Sequence, residues 1–356
     1  MANQHFEMDE FLLELLRSRS PTGTEQEAGR LVEKYMSGYA DTILRDNIGN
    51  RIAYLGDGKK ILMLAGHMDE IGFLVSYIDD DGYIFFQQLG GHDNVMLSGR
   101  RVQILTKNGP VYGVTGKRAV HLMDAKERKE VPETHQVWID IGVKGREEAE
   151  KLVKIGDPVV YDTIVHMLSG NRCTARAFDD KAGCYCVFEA MRRLARAESK
   201  PAYKVVSVAT TQEEIGTRGA WPAAYAVNPH VGLAVDVDHA TDFPSCDKRK
   251  FGGIKLGGGV VISRGPNINP KVFERLVGCA EDNNIPYQVS AEPRPTGTDA
   301  RIIQMVRGGV ATGLLGIPLR YMHTPAEVAD LSDIENCVKL IESFALSLSE
   351  NDDFTY

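Results

Sequence analysis

The chain has 356 residues, a length that favours two domains over a single small core. Hydrophobic residues make up 43% and charged residues 25%, as in an ordinary globular protein in water, and the formal net charge is −8. Because the sequence contains no basic block and no aromatic-basic stripe, it argues against nucleic acid and anionic membranes as partners.

The N-terminal segment predicts two helices. In MDEFLLELLRS the apolar residues recur with helical spacing, which indicates an amphipathic helix. After a Ser-Pro-Thr-Gly break, Thr24 and Glu27 have the spacing of a capping box, which predicts the start of a second helix, EQEAGRLVEKYM. The first residues are acidic and polar where a signal peptide would be basic and then apolar, so we expect a soluble, cytoplasmic protein.

The pattern of the chain changes twice after these helices. The run ILMLAG is apolar on both faces, as in a central strand covered by helices. From about residue 72 to 165, short alternating segments separated by Gly, Asp and Asn predict an inserted all-β unit. Beyond it, apolar strands alternate with amphipathic helices, which indicates a doubly covered α/β sheet. We therefore predict a main α/β domain, residues 1–71 and 166–356, interrupted by a small β domain at 72–165.

The six cysteines form neither a CxxC pair nor a dense disulfide pattern. Free thiols in a reducing compartment are therefore expected. No apolar run approaches the length of a membrane span, so the sequence predicts no contact with a membrane.

Side chains that can bind metals follow several of the predicted strands. In open α/β sheets, ligands bind beyond the carboxyl ends of the strands, so polar residues at those ends are candidates for a site. The candidates are His67, Asp69 and Glu70 after ILMLAG, Glu213 and Glu214 after KVVSVATT, Asp236, Asp238 and His239 around the end of GLAVDVD, His323 after GLLGIPLRYM, and Asp179 and Asp180 before a predicted helix. Taken singly, each has an ordinary interpretation, because a lone His is more often a core residue and an acidic pair usually caps a helix.

The combination of these residues argues for cations. Four carboxylates that converge on one edge of a sheet repel each other strongly in a low dielectric, and bound cations remove that repulsion. A mixed set of His and carboxylate ligands, with one bridging carboxylate, suits two zinc or first-row transition ions. Asp69 lies two residues beyond His67, where it can accept the second ring N–H of a metal-bound imidazole. Glu213 and Glu214 are adjacent and point in different directions, so one can bind metal while the other reaches a water.

Six segments resemble a known family. AGHMDEIGF, ARAFDDKAG, TTQEEIGTRGA, LAVDVDHA, PTGTDA and YMHTPAEVADLSD are similar, in this order, to segments of the dinuclear metallo-aminopeptidases of metallopeptidase family forty-two, which includes the tetrahedral (TET), glutamyl and deblocking aminopeptidases. The resemblance covers nearly the whole chain, including the insertion. It implies an α/β metallopeptidase domain with a central mixed sheet covered by helices, interrupted by a small β-barrel-like domain. It also implies removal of N-terminal residues from small peptides, two divalent ions per subunit (zinc, with cobalt as the alternative), and dimers that assemble through the inserted domain into a tetrahedral dodecamer.

Carried over position by position, the resemblance assigns roles to individual residues. The implied metal ligands are His67, Asp179, Glu214, Asp236 and His323, with Asp179 as the bridging carboxylate. Glu213 matches the general base that acts on the water shared by the metals, and Asp69 matches the residue that orients His67. Gly297, Thr298 and Asp299 match a glycine-rich loop near the substrate. The pattern passes over Asp180, Asp238 and His239, for which capping or support of the ligands is the expected role.

Some features depart from the family or leave alternatives open. His92 stands in GGHD where an aromatic residue is expected, and we interpret it as a surface-loop histidine. An N-acyl deacylase or a carboxypeptidase on the same two-metal scaffold is the first alternative function. A glucanase and a non-catalytic assembly protein are less favoured, since the first gives the two histidines no role and the second predicts a missing ligand. The sequence leaves the side chain preferred at the cleaved N-terminal residue open.

Overall fold

The computed structural model describes residues 7–356. The α-helices in this range are α1 (Glu10–Arg17), α2 (Gln26–Met36), α3 (Arg146–Leu152), α4 (Phe178–Arg196), α5 (Ala220–Val227), α6 (Lys248–Phe251), α7 (Pro270–Asp282), α8 (Ala300–Gln304) and α9 (Leu331–Ser347). Short 3₁₀ turns lie at Asn94–Met96, Val120–Leu122, Glu127–Lys129 and Thr134–Gln136. Along these described residues, no helix combines the length and the apolar character needed to cross a lipid bilayer.

The strands form two separate systems. The main sheet contains β1 (Thr42–Arg45), β2 (Arg51–Leu55), β3 (Ile61–His67), β10 (His166–Met167), β11 (Arg172–Ala175), β12 (Lys204–Thr210), β13 (Val231–His239), β14 (Val260–Arg264), β15 (Tyr287–Ala291), β16 (Ala311–Arg320) and β17 (Glu327–Asp330). The second system contains β4 (Gly72–Ile78), β5 (Ile84–Leu89), β6 (Arg101–Thr106), β7 (Gly109–Gly116), β8 (Trp138–Asp140) and β9 (Pro158–Tyr161).

The main sheet is mixed, with a parallel centre. Its strands run in the order β1-β2-β12-β3-β13-β16-β17-β11-β10, and β14 and β15 branch from β16. β3 pairs in parallel with β12 on one side and with β13 on the other, and β13 pairs in parallel with β16. Buried helices cover both faces of this sheet, since one apolar cluster includes α4, α7 and α9 and another includes α5 and α8. The predicted α/β class with a mixed central sheet is confirmed.

The inserted segment folds into a closed barrel. Its strands follow the order β4-β5-β8-β7-β6-β9 and close through pairing of β9 with β4. A separate core fills the barrel, with Phe73 and Phe86 packed edge to face at 4.7 Å between ring centroids. Closure leaves no unpaired edge in the barrel itself, which explains how alternating strands of three to eight residues form a stable unit.

The first helices confirm one local prediction and contradict another. The apolar face predicted for α1 is buried, with Phe11 and Leu15 fully inside. The capping box of Thr24 and Glu27 is wrong, because α2 begins at Gln26 after Glu25 and no side chain caps it. The carboxylate of Glu25 instead accepts the N–H of Gln212, across the molecule, and Glu27 forms an ion pair with a neighbouring arginine. Tertiary contacts therefore override the local capping pattern.

A buried ion cluster ties together the two ends of the insertion. The chain leaves β3 at His67 and enters the barrel at Gly72, and Glu70 lies between these points. The carboxylate of Glu70 pairs with Arg176 and with Lys181, whose Nζ is 2.8 Å away, and both cations follow the return of the chain to the main sheet. All three side chains are buried, so the single carboxylate of Glu70 is shared between two cations.

Candidate metal centre

Strand register brings the first candidate residues together. β12 and β3 run parallel, with Thr210 opposite His67 at their carboxyl ends. β13 pairs with β3 so that Ala234 lies opposite Ala65, and two residues further along each strand come Asp236 and His67. Side chains two apart on a strand share a face, so this register puts Asp236 next to His67. The measured distance from His67 Nε2 to the Oδ1 of Asp236 is 4.0 Å.

Asp179 lies between the two candidate imidazoles. It belongs to the start of α4, where Asp179 and Asp180 have non-helical dihedral angles and are joined by a cis peptide bond. One carboxylate oxygen of Asp179 is 3.1 Å from the Nε2 of His67, and the other is 3.2 Å from the Nε2 of His323. The same His323 nitrogen is 3.5 Å from the carboxylate of Glu214. The five predicted ligands therefore form two groups that share Asp179, the His67 half (His67, Asp236) and the His323 half (His323, Glu214).

These spacings fit bound ions. Two ligand atoms that are each about 2.1 Å from one ion lie about 3 to 4 Å apart, and the distances within each half are 3.1–4.0 Å. One ligand atom from each of His67, Asp179 and Glu214 lies within 4.8 Å of the others. Asp180 forms a comparable group with His67 and Asp236, but its two oxygens already accept the backbone N–H groups of His67 and Gly183. Asp180 therefore fits the supporting role expected from the sequence.

Asp69 connects the two loops of the centre. Its carboxylate accepts the backbone N–H groups of Glu213, at 3.0 Å, and of Glu214, at 3.2 Å. The Nδ1 of His67 is 3.1 Å from the backbone oxygen of Asp69 and 3.5 Å from its carboxylate. The His67 ring is therefore nearer to the backbone oxygen of Asp69 than to the carboxylate that the sequence suggested, and this carboxylate fixes the backbone from which Glu213 and Glu214 project.

The electrostatics of the centre favour added positive charge. Burial, opposed in part by His67 and reinforced by Asp236, raises the pKa of Glu213 to about 10. Burial also raises the pKa of Asp236 to about 7, with the charge of Asp179 acting in the same direction. Burial alone would lower the pKa of His67, but hydrogen bonding to Asp179 and Asp69 raises it well above its usual range. Without metal, the centre thus favours proton uptake, and divalent cations would supply the same charge without protons.

We expect the metal-free protein to lose stability as pH rises from about 5 to 8. Burial raises the pKa values of Asp236 and Asp299 to about 7 and about 6. An acid with a raised folded-state pKa contributes stability below its unfolded pKa, and that stability is lost as pH passes through the folded value. The raised pKa of His67 likewise makes the folded state less stable as pH rises. The lowered pKa of Asp179 changes stability only at pH values below the usual carboxylate pKa.

Thermal unfolding with a chelator at several pH values checks this expectation. The matched sample contains excess zinc, whose charge replaces the bound protons and should remove most of the pH dependence. A metal-free Tm that is constant or rises across this range would contradict the charge balance described for the centre.

A cavity of about 420 Å³ opens onto the centre. Glu213 and the five predicted ligands line it, together with Gly91, Gly216, Thr217, Val237, Asp238, His239, Gly297, Thr298, Arg301 and Met322. Of the predicted substrate residues, Gly297 and Thr298 face this cavity, whereas the carboxylate of Asp299 accepts a hydrogen bond from Thr210 at 2.6 Å. A larger surface cleft of about 690 Å³ beside Phe354 contains none of the predicted residues.

The structure also shows features that the sequence prediction missed. The carboxylate of Glu327 accepts backbone N–H groups from two of the predicted ligands, Asp179 and His323. A spacing of four residues, as between His323 and Glu327, predicts contact only within a helix, and this segment is irregular. Asp238 lies two residues beyond Asp236 and also lines the cavity. His92 is partly buried and its ring stacks on Phe73 at 4.4 Å, so the surface-loop interpretation is wrong.

Imidazoles that share carboxylates at the carboxyl edge of a mixed α/β sheet are typical of metal-dependent enzymes, a class that includes aminopeptidases. Comparison with known proteins identifies the family to which the chain belongs. The chain belongs to the M42 glutamyl aminopeptidase family, whose model matches residues 49–340. The resemblance read from the sequence is confirmed, and the protein is a metal-dependent aminopeptidase of this family.

Individual relatives match over nearly their full length. The chain is 37% identical to the lysyl aminopeptidase of Pyrococcus furiosus, covering 96% of this chain and 98% of the relative. Among solved structures, a TET aminopeptidase from a marine sediment archaeon, Thaumarchaeota archaeon SCGC AB-539-E09, has a TM-score of 0.91 at 33% identity, covering 95% and 96% of the two chains. The Pyrococcus horikoshii TET1 peptidase, which can assemble into a tetrahedron or a large octahedral shell, has a TM-score of 0.85 at 31% identity, covering 95% and 99%.

Proposed function

We propose that the protein removes N-terminal residues from small peptides with two divalent cations bound per subunit. The observation that carries this proposal is the position of Asp179, whose two oxygens face two different imidazoles at 3.1 and 3.2 Å. His67 and Asp236 would hold one cation, His323 and Glu214 the other, and Asp179 would be shared. Imidazole and carboxylate ligands favour zinc, with cobalt as the alternative.

Glu213 is the proposed general base. It accepts a proton from the water that attacks the peptide carbonyl and returns a proton to the leaving amine as the C–N bond breaks. Bound divalent cations supply Lewis acidity, which lowers the pKa of a water and polarises a peptide carbonyl. The carboxylate of Glu213 lines the cavity 3.9 Å from the Nε2 of His67, and Asp69 fixes its backbone.

Removal of metal by a chelator is expected to abolish hydrolysis of aminoacyl anilides, and zinc or cobalt is expected to restore it. The reason is that the carboxylates of the centre, left without cations, lose the Lewis acid that activates the water. Initial rates and the number of metal ions per chain are measured in parallel on the full-length protein. The control contains the same chelator saturated with zinc, which should leave the rate unchanged.

Two outcomes of this experiment would contradict the proposal. A metal-free preparation with full activity would exclude the metal-dependent mechanism, and full activity with one ion per chain would exclude the shared role of Asp179. The same assay with N-acetylated substrates separates the alternatives. Preferential hydrolysis of the blocked substrates would indicate an N-acyl deacylase, and release of C-terminal residues would indicate a carboxypeptidase.

The cavity is lined by side chains of both charges, which a substrate could contact. Asp238 and Arg301 both line it, and no ion pair joins either of them to a partner within residues 7–356. The family is named after glutamyl aminopeptidase, whereas one relative is a lysyl aminopeptidase. These names refer to N-terminal residues of opposite charge. A panel of glutamyl, lysyl and leucyl anilides decides which charge this cavity selects.

We further propose that residues 72–165 form an assembly domain through which dimers build a tetrahedral dodecamer in the cytoplasm, with residues 1–71 and 166–356 as the catalytic domain. The closed barrel of Gly72–Tyr161 supports this division of the chain. The assembly of the P. horikoshii relative into a tetrahedron supports the oligomer. Several large apolar side chains of the barrel are exposed, including Tyr112 and Leu122, as expected for a surface that other subunits cover. Light scattering with and without zinc distinguishes a dimer from a dodecamer.

A further inference from the structure

Glu327 joins the backbones of two of the proposed metal ligands. It is the first residue of β17 and its side chain is buried, with 2% of its surface exposed. One carboxylate oxygen accepts the N–H of Asp179 at 3.2 Å, and the other accepts the N–H of His323 at 3.0 Å. A single side chain therefore connects the residue that both halves of the centre share with the imidazole of one half.

The two N–H groups bound by Glu327 belong to irregular backbone. His323 has a left-handed conformation, with φ of 61°, in the turn between β16 and β17. Asp179 follows Ala177, which is also left-handed with φ of 60°. No strand ladder holds these amides, and a buried N–H without an acceptor is costly. Glu327 supplies the acceptor for both.

Glu327 itself lies on regular structure. In the main sheet, Glu327 is opposite Ala175 of β11, just before the turn that leads to Asp179. The next residues of β17 pair with the end of β16, which leads to His323. Its carboxylate is thus anchored between the two segments whose relative position determines the His323 half of the centre.

The His67 half is held differently. His67 and Asp236 lie on β3 and β13, whose ladders connect them to the central sheet, and the N–H of His67 is bound by Asp180. Loss of Glu327 therefore leaves His67 and Asp236 supported, and only the shared Asp179 of this half loses a contact. The asymmetry between the halves is the basis of the inference.

We propose that Glu327 is a positioning residue that sets the geometry of the His323 half, so that its loss selectively weakens one of the two bound cations. The inference rests on the two-cation function proposed above. Groups that orient metal ligands through hydrogen bonds typically change metal affinity by about 10- to 100-fold when they are replaced. Replacement of a side chain that serves only the stability of the fold would instead lower the Tm and leave the ratio of the two zinc affinities unchanged.

The test is a zinc competition titration of the full-length wild-type protein and of Glu327→Gln, with a chromophoric chelator. The glutamine retains the size of the side chain but presents an amide NH₂ to one of the two N–H donors. We expect the ion of the His323 half to bind about 10- to 100-fold more weakly, because both of its supported ligands lose a contact, and the affinity for the other ion to change by less. Activity at limiting zinc should fall, and excess zinc should restore kcat with an unchanged KM.

Asp333 provides a matched control. It is a fully buried carboxylate that accepts two backbone N–H groups, from Gly257 and Gly259 at 2.7 Å each, and it does not line the catalytic cavity. Asp333→Asn should therefore lower the Tm without changing either zinc affinity. Glu327→Asp is the second variant, since its shorter side chain retains the charge but cannot reach both amides.

The outcomes separate the inference from the function on which it rests. Two zinc ions with wild-type affinities in folded Glu327→Gln or Glu327→Asp would overturn the positioning role, as would equal weakening of both ions. A wild-type protein that binds fewer than two ions would instead overturn the two-cation function, whatever the variants show. If Glu327→Gln does not fold, the zinc titration of Glu327→Asp decides between these outcomes.

Discussion

Replacement of Glu213 by glutamine is expected to lower kcat about 100- to 10,000-fold, the range that a general base contributes to catalysis. The amide has nearly the same shape as the carboxylate but cannot accept the proton of the attacking water. Glu213 suits this role because its side chain lines the cavity and forms no hydrogen bond with another side chain or backbone group of residues 7–356. Its carboxylate is therefore available to the substrate and the water.

The measurement compares kcat, KM and bound metal for Glu213→Gln and for the adjacent Glu214→Gln. Glu213→Gln should retain two ions per chain, whereas Glu214→Gln should lose affinity for the ion of the His323 half. The neighbouring positions provide a matched pair, because both backbone amides are held by the same carboxylate of Asp69. Turnover of Glu213→Gln near the wild-type rate would show that another group is the base.

Replacement of Asp179 by alanine is expected to weaken both cations together, each by more than about 100-fold, and to reduce activity below that of any other single-ligand variant. Its two oxygens lie 3.1 and 3.2 Å from the two imidazoles, so both halves lose a ligand in one substitution. Asp236→Ala, by comparison, removes a ligand from the His67 half alone. Metal content after dialysis, with zinc titration of each variant, distinguishes the two patterns.

An Asp179→Ala protein that keeps one ion at wild-type affinity would contradict the shared position. Thermal unfolding of both variants serves as the control for folding, because each side chain is largely buried. If the Tm is lowered equally in the two variants but they bind different numbers of ions, the difference in metal binding is due to the lost ligands and not to reduced stability.

Much of the centre follows from patterns that a sequence contains. Apolar runs predict the parallel strands, and parallel strands end on the same edge of a sheet, so His67 and Asp236 were predictable as neighbours. Asp179 was not, because the short strand before it was not predicted from the sequence and its turn has dihedral angles that no local pattern specifies. Its bridging position came only from resemblance to the family. Confirmation of the family leaves the roles of individual residues to the experiments described above.

The remaining errors share a physical cause. Thr24 and Glu27 have the local spacing of a capping box, yet the chain places Glu25 against the Gln212 amide instead. Glu327 is likewise unremarkable in sequence, and its contacts with Asp179 and His323 are set by the pairing of β17 with β11 and β16. Side chains whose partners are distant along the chain carry no periodic signal, so local patterns do not identify them.

The barrel reaches back to the metal centre through two glycines. A Cβ added at Gly91 would lie 3.2 Å from the Nδ1 of His323, and one added at Gly90 would lie 3.1 Å from the carboxylate of Glu214. Glu70 clamps the stem of the same insertion to the main sheet through Arg176 and Lys181. A tilt of the barrel would therefore press its backbone against the His323 half or withdraw it. In the assembly proposed above, a subunit contact that displaced the barrel would therefore change the geometry of the proposed His323 half, although the barrel supplies none of the proposed ligands.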